Sequence, residues 1–564
     1  QNSMDRREFL TAKRKSQPIV IEKTAGRTSS GLQPYTGAWT RNEVIHLLKR
    51  TMFGARIADV DYFAGKTMDE AVDELLNPID PLPSPPVKEY TTTTALVPDN
   101  DVAAGATWIN SVSTDGTIQA LRRSSLKKWW IGCQINHDRS IREKMTLFWH
   151  NHFATETVDV GNGNMYYNHV NLLRTNALGN FKSLVRAITI DSAMLIYLNG
   201  RFNTVTAPDE NYARELQELF TLGKENNPNY TEADVKAAAR VLTGWRVYND
   251  RLPYPPYFTS SRHDSNNKVF SSFYGTGGNT FTITGRTGAT AGDLELDDLL
   301  NMIFAKQVEV STFIAKKLYR FFVHYEIDAA TEINVIQPLA QIFRNSNWEI
   351  KPALAALLKS EHFYDVLNQG SQIKSPLDHI IAVCREWNIV FPNAVTEYAD
   401  AYGMWNYILG IGSNTGQNLG DPPNVAGWPA YYQTPQYYEL WINTDTLPKR
   451  NQFTDIMIGN GYTRNGKKIW IDAVEFTKTL PNPSDPNQLI IDVLQVIFQI
   501  ELSQASRDQL KKDFLLTGQD QDYYWTNAWN AYISSPVTAN FNIVNTRLRG
   551  LYKYFMNLAE YQLA

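Results

Sequence analysis

The acidic stretch at 208–223, PDENYARELQELFTLG, combines residue types and spacing that can do chemistry. On a helix that turns 100° per residue, Asn211, Glu215 and Glu218 lie within about 60° of one another. Two carboxylates on one face repel each other unless a cation, the neighbouring Arg214 or a shared proton lies between them. The stretch therefore predicts either a paired-carboxylate site or a solvated helix face with an Arg–Glu pair.

A second candidate is the pair His150 and His152, at the end of the motif REKMTLFWHNHF. In a continuous helix the two rings point about 200° apart, and His152 then continues the buried stripe of Met145 and Phe148. If the helix ends near Trp149, both imidazoles can bind one ion. Two structural histidines, bonded to backbone carbonyls, are the other interpretation.

A third candidate is His263-Asp264, which precedes Lys268 in an irregular, glycine-containing region. A His–Asp pair in a loop can bind a metal ion or transfer protons. An ordinary surface turn is the other interpretation of two adjacent residues. Because the chain has only two cysteines, any divalent metal ion would need imidazole and carboxylate ligands.

The sequence lacks the motifs of several common enzyme classes. It has no phosphate-binding GxxxxGK[ST] loop, no dinucleotide fingerprint, no GxSxG nucleophile elbow and no HExxH zinc motif. We therefore expect no nucleotide cofactor. A formal net charge of −4 and a pI near 6.2 give no basic field for nucleic acid. No run of 18 apolar residues predicts a transmembrane segment.

The hydrophobic periodicity predicts a mainly α fold, a multi-helix assembly with a small β-rich insert. Thr40 with Glu43, and Thr231 with Asp234, match the capping-box pattern that begins a helix. A chain of 564 residues is too long for one core. The predicted regions are a flexible N-terminal tail at 1–33, a helical core domain with the acidic helix and His-x-His at 34–247, the β-rich insert at 248–292, a helical region ending in an aromatic and proline-rich segment at 293–450, and a C-terminal helical region at 451–564.

The aromatic segment at 428–441, WPAYYQTPQYYELW, is the last candidate. If it lies at the surface, Trp428 and Trp441 can bind a glycan or a protein. If it lies inside, the same rings belong to the core. Asn211, beside the acidic face, is the third predicted binding residue.

A series of ordered motifs resembles the bacterial domain-of-unknown-function 1800 family. The resemblance covers about residues 39–450 and rests on WTRNEVIHLLKRTMFG at 39–54, REKMTLFWHNHF at 142–153, LRTNALGNF at 173–181, DSAMLIYLN at 191–199, ENYARELQELFTLG at 210–223, TGW at 243–245, HD at 263–264, AKKL at 315–318 and PPNVAGW at 422–428.

The resemblance implies a large bacterial protein that is commonly exported, so a periplasmic or cell-surface location is favoured. It also implies a partner from the domain-of-unknown-function 1501 family, which looks sulfatase- or phosphatase-like. Family members often begin with a twin-arginine leader, and MDRREFL at 4–10 is similar to one. The polar sequence TAKRKSQ follows where such a leader needs an apolar segment.

Two functions fit these residues. The first is an enzyme, hydrolase-like, that acts on an extracytoplasmic or cell-surface polymer such as a polysaccharide or glycoconjugate. Either a divalent metal ion activates water, or two carboxylates divide the acid and base roles. The second is a non-catalytic binding or assembly partner of the exported sulfatase- or phosphatase-like protein. The predicted catalytic residues are Glu215, Glu218, Arg214 and Asp264, and the predicted metal ligands are His150, His152 and His263.

Overall fold

A computed structural model describes residues 28–90, 99–224, 229–498 and 502–564. Helices dominate it, which confirms the predicted mainly α class. The α-helices are α1 Arg41–Thr51, α2 Ile57–Ala64, α3 Met68–Leu76, α4 Gly116–Asn136, α5 Arg142–His152, α6 Thr157–Val160, α7 Gly163–Thr175, α8 Phe181–Thr189, α9 Ser192–Tyr197, α10 Asn211–Glu215, α11 Glu232–Val241, α12 Ala291–Phe304, α13 Gln307–Phe322, α14 Ala329–Thr331, α15 Gln337–Asn345, α16 Ile350–Leu358, α17 Pro376–Glu386, α18 Tyr398–Asn414, α19 Thr446–Ile458, α20 Ala473–Lys478, α21 Pro486–Ile497, α22 Gln504–Leu510, α23 Tyr523–Ser534 and α24 Thr538–Met556.

In the part of the chain that the structure describes, three segments have the wider π-helical turn: π1 Leu216–Thr221, π2 Glu332–Ile336 and π3 Lys511–Leu515. Each continues directly from an α-helix. Among the described residues, no helix is both long enough and apolar enough to span a bilayer.

The strands form two-stranded antiparallel sheets. They are β1 Trp245–Val247 with β2 Pro256–Phe258, β3 Lys268–Phe270 with β4 Phe281–Ile283, and β5 Tyr462–Arg464 with β6 Lys467–Ile469. The first two pairs make the small β-rich insert that the sequence predicts.

The two predicted capping boxes begin their helices. Thr40 precedes α1, and its backbone N–H donates to the Glu43 carboxylate over 3.0 Å. Thr231 precedes α11, and its backbone N–H donates to Asp234 over 2.7 Å. In both cases a side chain accepts from a backbone N–H that the first turn of a helix leaves without a partner.

Two buried clusters of side chains make the core. The first draws on residues between 44 and 364, and the second on residues between 53 and 561. The second cluster therefore joins chain segments on both sides of several predicted domain boundaries. Lys49 of α1, for example, is buried and donates to the carbonyl of Ile497 over 2.8 Å.

The predicted N-terminal tail at 1–33 is described only from residue 28. Thr28 is buried and Ser30 donates to the Asp365 carboxylate over 2.9 Å, so this end of the predicted tail packs against the body of the protein. Residues 1–27, including the twin-arginine motif, lie outside the described residues.

Candidate functional site

The acidic stretch does not form the single α-helix that its sequence predicts. It begins as α10 and continues as π1, in which the backbone N–H of Leu222 donates to the carbonyl of Gln217, five residues back, over 2.9 Å. A π-turn inside an α-helix is rare and frequently marks a functional site. The wider turn begins immediately after Glu215, so Glu215 and Glu218 lie on the two sides of this change.

Buried side chains hold π1 in place. Leu216 has no exposed surface. The hydroxyl of Tyr274 donates to the side-chain carbonyl of Gln217 over 2.6 Å. On another side, the Nε2 of His152 donates to the carbonyl of Phe220 over 3.0 Å. The unusual turn is therefore fixed from the β-rich insert and from α5.

Gly223 ends the acidic stretch with a left-handed backbone, at a φ of +73°. Its backbone lies against the ring of Phe313, where an added Cβ would come within 2.3 Å of a ring carbon. Only glycine combines that φ with such close approach at little cost. The turn directs the chain so that the next residue, Lys224, forms an ion pair with Glu218.

Glu215 is the most perturbed carboxyl group of this stretch. Burial raises its pKa to about 7, and the negative charge of Glu218 adds to the effect, while Lys224 and Arg214 oppose it. Its Oε2 atom is buried and has no hydrogen-bond partner among the described residues. With a pKa of about 7 the Glu215 carboxyl group can give up or take up a proton near neutral pH, as a general acid or base needs to do.

Two tyrosines that the sequence did not single out interact electrostatically with this carboxyl group. Burial raises the pKa of Tyr230 to about 12, and the charges of Glu218 and Glu215 contribute. Tyr197 donates its hydroxyl hydrogen to Glu156 over 3.2 Å. Burial and the charge of Glu156 raise the pKa of Tyr197, and the charge of Glu215 adds to the effect. No spacing in the sequence relates these residues, because Tyr197 and Tyr230 come from two segments that are separate from the acidic stretch.

Arg214 has a structural position. Its guanidinium makes two bonds of 2.7 Å to the carboxylate of Glu232, and a third of 3.2 Å to Glu210. It thereby clamps α10 to α11, and its positive charge opposes the rise in the pKa of Glu215 less than burial and Glu218 promote it. Asn211 is exposed at the start of α10.

His150 and His152 do not converge, because α5 continues through His152. His152 lies in the first core cluster against phenylalanine rings, and burial lowers its pKa well below the usual value. His150 lies in the second cluster beside Trp130 and Trp428, and burial lowers its pKa to about 3. The condition for a shared ion, a helix that ends near Trp149, is not met.

His263 and Asp264 belong to a buried ionic network. His263 is 3.1 Å from the Glu295 carboxylate, which also pairs with Lys268. Asp264 accepts from Arg240 over 2.6 Å, and although burial opposes it, this and the bonds from Asn266 lower the pKa of Asp264 to about 2. These bonds join the β-rich insert to α11 and α12, so His263 and Asp264 have a structural role.

The predicted metal ligands therefore lie in three different surroundings. Among the residues that the structure describes, no group of three or more His, Cys, Asp or Glu side chains is arranged to hold a metal ion. His150, His152 and His263 thus do not fit a common metal centre. Whether the protein binds a divalent ion elsewhere stays a prediction.

Trp428 and Trp441 are buried, with 2% and 5% of their surface exposed. The ring of Trp428 packs against His150, and that of Trp441 against Tyr431. The prediction that Trp428 and Trp441 form a recognition surface is therefore wrong, because both rings are buried. In the first core, Trp149 and Phe181 show the same use of aromatic residues.

The fold and the acidic segment define a mainly α-helical protein with a carboxyl group of raised pKa where an α-helix passes into a π-helical turn. Comparison with family models adds a match over residues 46–563 to the family described as "Protein of unknown function (DUF1800)". The chain belongs to this family, and the match extends beyond residue 450, where the resemblance in the motifs ended. No curated protein and no solved structure matches the chain.

Proposed function

We propose that the protein is a hydrolase-like enzyme that acts on an extracytoplasmic or cell-surface polymer, a polysaccharide or glycoconjugate, by acid–base catalysis at Glu215 and Glu218. The observation that carries the proposal is the raised pKa of Glu215, about 7, beside a second carboxylate that pairs with Lys224. Two carboxyl groups with different proton affinities can divide the acid and base roles in glycoside hydrolysis.

In this proposal Glu215 donates its proton to the oxygen of the leaving sugar. Glu218 accepts a proton from the attacking water, so that one proton enters and one leaves the site in each cycle. Tyr197 and Tyr230 lie within electrostatic reach of Glu215, and their hydroxyl groups can bind sugar hydroxyls. The mechanism uses no metal ion, since the three predicted histidine ligands lie apart.

The test measures the release of reducing ends from a panel of bacterial surface polysaccharides. Glu215→Gln is expected to lower the rate by at least about 100-fold, the usual contribution of a general acid. The control is Glu439→Gln, at an exposed glutamate of a distant segment. Activity should fall as pH rises through about 7, because the acid must be protonated. Equal activity in both variants would contradict the proposal.

A second proposal is assembly with the exported sulfatase- or phosphatase-like protein of the domain-of-unknown-function 1501 family. It is supported by exposed apolar side chains on the hairpin of α23 and α24. Ile533 and Val537 are each 53% exposed at its turn, and exposed apolar patches often mark protein contacts. Ile533→Asp should weaken binding of the purified partner at least tenfold. Val390→Asp, at another exposed valine, should leave binding unchanged.

A further inference from the structure

A cleft of about 710 Å³ lies between the end of α4, the start of α5, the start of α18 and the proline-rich segment at 80–85. These segments are separate in sequence from the acidic stretch. Its volume is in the range of small-molecule sites. No residue of α10 or π1 lines it. Its aromatic wall consists of Trp129, Tyr398, Tyr402 and Trp405.

Two hydrogen-bond donors in this wall have no acceptor among the described residues. Trp405 is 4% exposed, and its Nε1 atom is buried without a hydrogen-bond partner. The hydroxyl of Tyr402 accepts from the backbone N–H of Val87 over 3.0 Å, which leaves its own hydrogen to donate. A buried donor without an acceptor carries a free-energy cost that a ligand oxygen can remove.

Gly132 brings the indole of Trp405 to the cleft wall. A Cβ at this position would come within 2.7 Å of the Cζ2 atom and 2.8 Å of the Cε2 atom of Trp405. Cε2 is the ring atom bonded to Nε1. The missing side chain therefore lets the six-membered ring of the indole, which includes Cε2, lie against a residue that itself lines the cleft.

Three charged residues that line the cleft, Asp138, Arg142 and Glu143, have ion-pair partners. Arg142 is 3.3 Å from the Asp138 carboxylate and donates to the carbonyl of Asp80 over 2.8 Å. Glu143 forms a buried two-bond ion pair with Arg174. Apart from the exposed carboxylate of Asp80, for which the described residues supply no ion-pair partner, the cleft offers apolar rings and neutral donors.

We propose that this cleft binds a neutral, ring-containing small molecule that carries a hydrogen-bond-accepting oxygen. Its rings contact Trp129, Tyr398 and the proline-rich wall. Its oxygen accepts from the Nε1 of Trp405 and the hydroxyl of Tyr402. This site is separate from the acid–base site and does not depend on it.

The test uses two fluorescent probes with the full chain. Prodan, 6-propionyl-2-(dimethylamino)naphthalene, has a carbonyl acceptor, and N-phenyl-1-naphthylamine has none. Prodan should saturate one site with a Kd below about 100 μM. Trp405→Phe keeps most of the ring but removes the N–H, and should weaken Prodan about fivefold, the loss of one hydrogen bond. Binding of N-phenyl-1-naphthylamine should not change.

A variant at the cleft mouth tests the location. Val395 lines the cleft and is 82% exposed, so Val395→Trp should fold normally and weaken both probes at least tenfold. Val390→Trp is the matched control, since Val390 is 77% exposed and does not line the cleft. The proposal is overturned if Prodan does not saturate, if Val395→Trp binds as the wild type does, or if Trp405→Phe affects both probes equally.

Discussion

Replacing Glu215 with glutamine should stabilise the protein at high pH and not at low pH. Glutamine has the shape of the protonated side chain and never ionises. In the native protein the pKa of Glu215 is raised from 4.5 to about 7. The folded state therefore binds this proton more tightly than the unfolded state, and wild-type stability falls as pH rises from about 4.5 to about 7.

The size of the effect follows from the shift. A rise from 4.5 to about 7 corresponds to about 3 kcal/mol, at roughly 1.4 kcal/mol per unit. Glu215 retains partial contact with water, which reduces the expected gain to about 1–2 kcal/mol. Glu215→Gln should show this gain at pH 8 and close to none at pH 4.

Urea unfolding of the wild type and the variant at pH 4, 6 and 8 measures the difference directly. Glu439→Gln serves as the control for removing a surface carboxylate from a net charge of −4. If the stability difference between Glu215→Gln and the wild type is the same at pH 4 and pH 8, the pKa of Glu215 is not raised. The acid–base proposal then loses the observation that carries it.

Three further outcomes test the assignment of the other residues. Glu295→Gln should destabilise the protein by about 3 kcal/mol in urea unfolding, because Lys268 and Glu295 are both fully buried and the lysine loses its counter-charge; a loss below 1 kcal/mol contradicts the network. His152→Phe should lower the free energy of unfolding by about 1–2 kcal/mol more than His150→Phe does, because only His152 donates a hydrogen bond, to the carbonyl of Phe220. Metal analysis that shows an ion lost from the His150 variant alone would refute the assignment of these histidines to the core. Trp428→Ala should lower the free energy of unfolding by about 3–5 kcal/mol, because it truncates a core side chain. In glycan-binding assays the variant should lose binding only to the extent that it unfolds. A folded variant that selectively loses glycan binding would restore the surface interpretation.

The helices that begin with a local signal were predictable. Thr40 and Thr231 both cap their helices because the interaction lies within four residues of the chain. The π-turn after Glu215 was not predictable from such signals, since contacts from distant residues support it, among them Tyr274 and His152. Hydrophobic periodicity does not predict where a helix changes from an α-helical to a π-helical turn.

The candidate site shows the same limit. Glu215 and Glu218 were found from their spacing, and their electrostatic coupling fits it. The histidine candidates depended on where α5 ends, which two residues of sequence cannot decide. His263 found a partner, Glu295, more than 30 positions further along the chain. Convergence in space is a property of tertiary structure, and polar motifs alone do not reveal it.

The two core clusters also set the order in which the protein can fold during synthesis. The first cluster is complete once Tyr364 has been made, whereas the second waits for residues up to Tyr561. At about 5–20 residues per second, Trp108 and Trp130 of the second core wait for roughly 20–90 s until Tyr561 has been made. The ribosome-bound intermediate thus displays a large indole-rich surface, and holdase chaperones should recognise it before release.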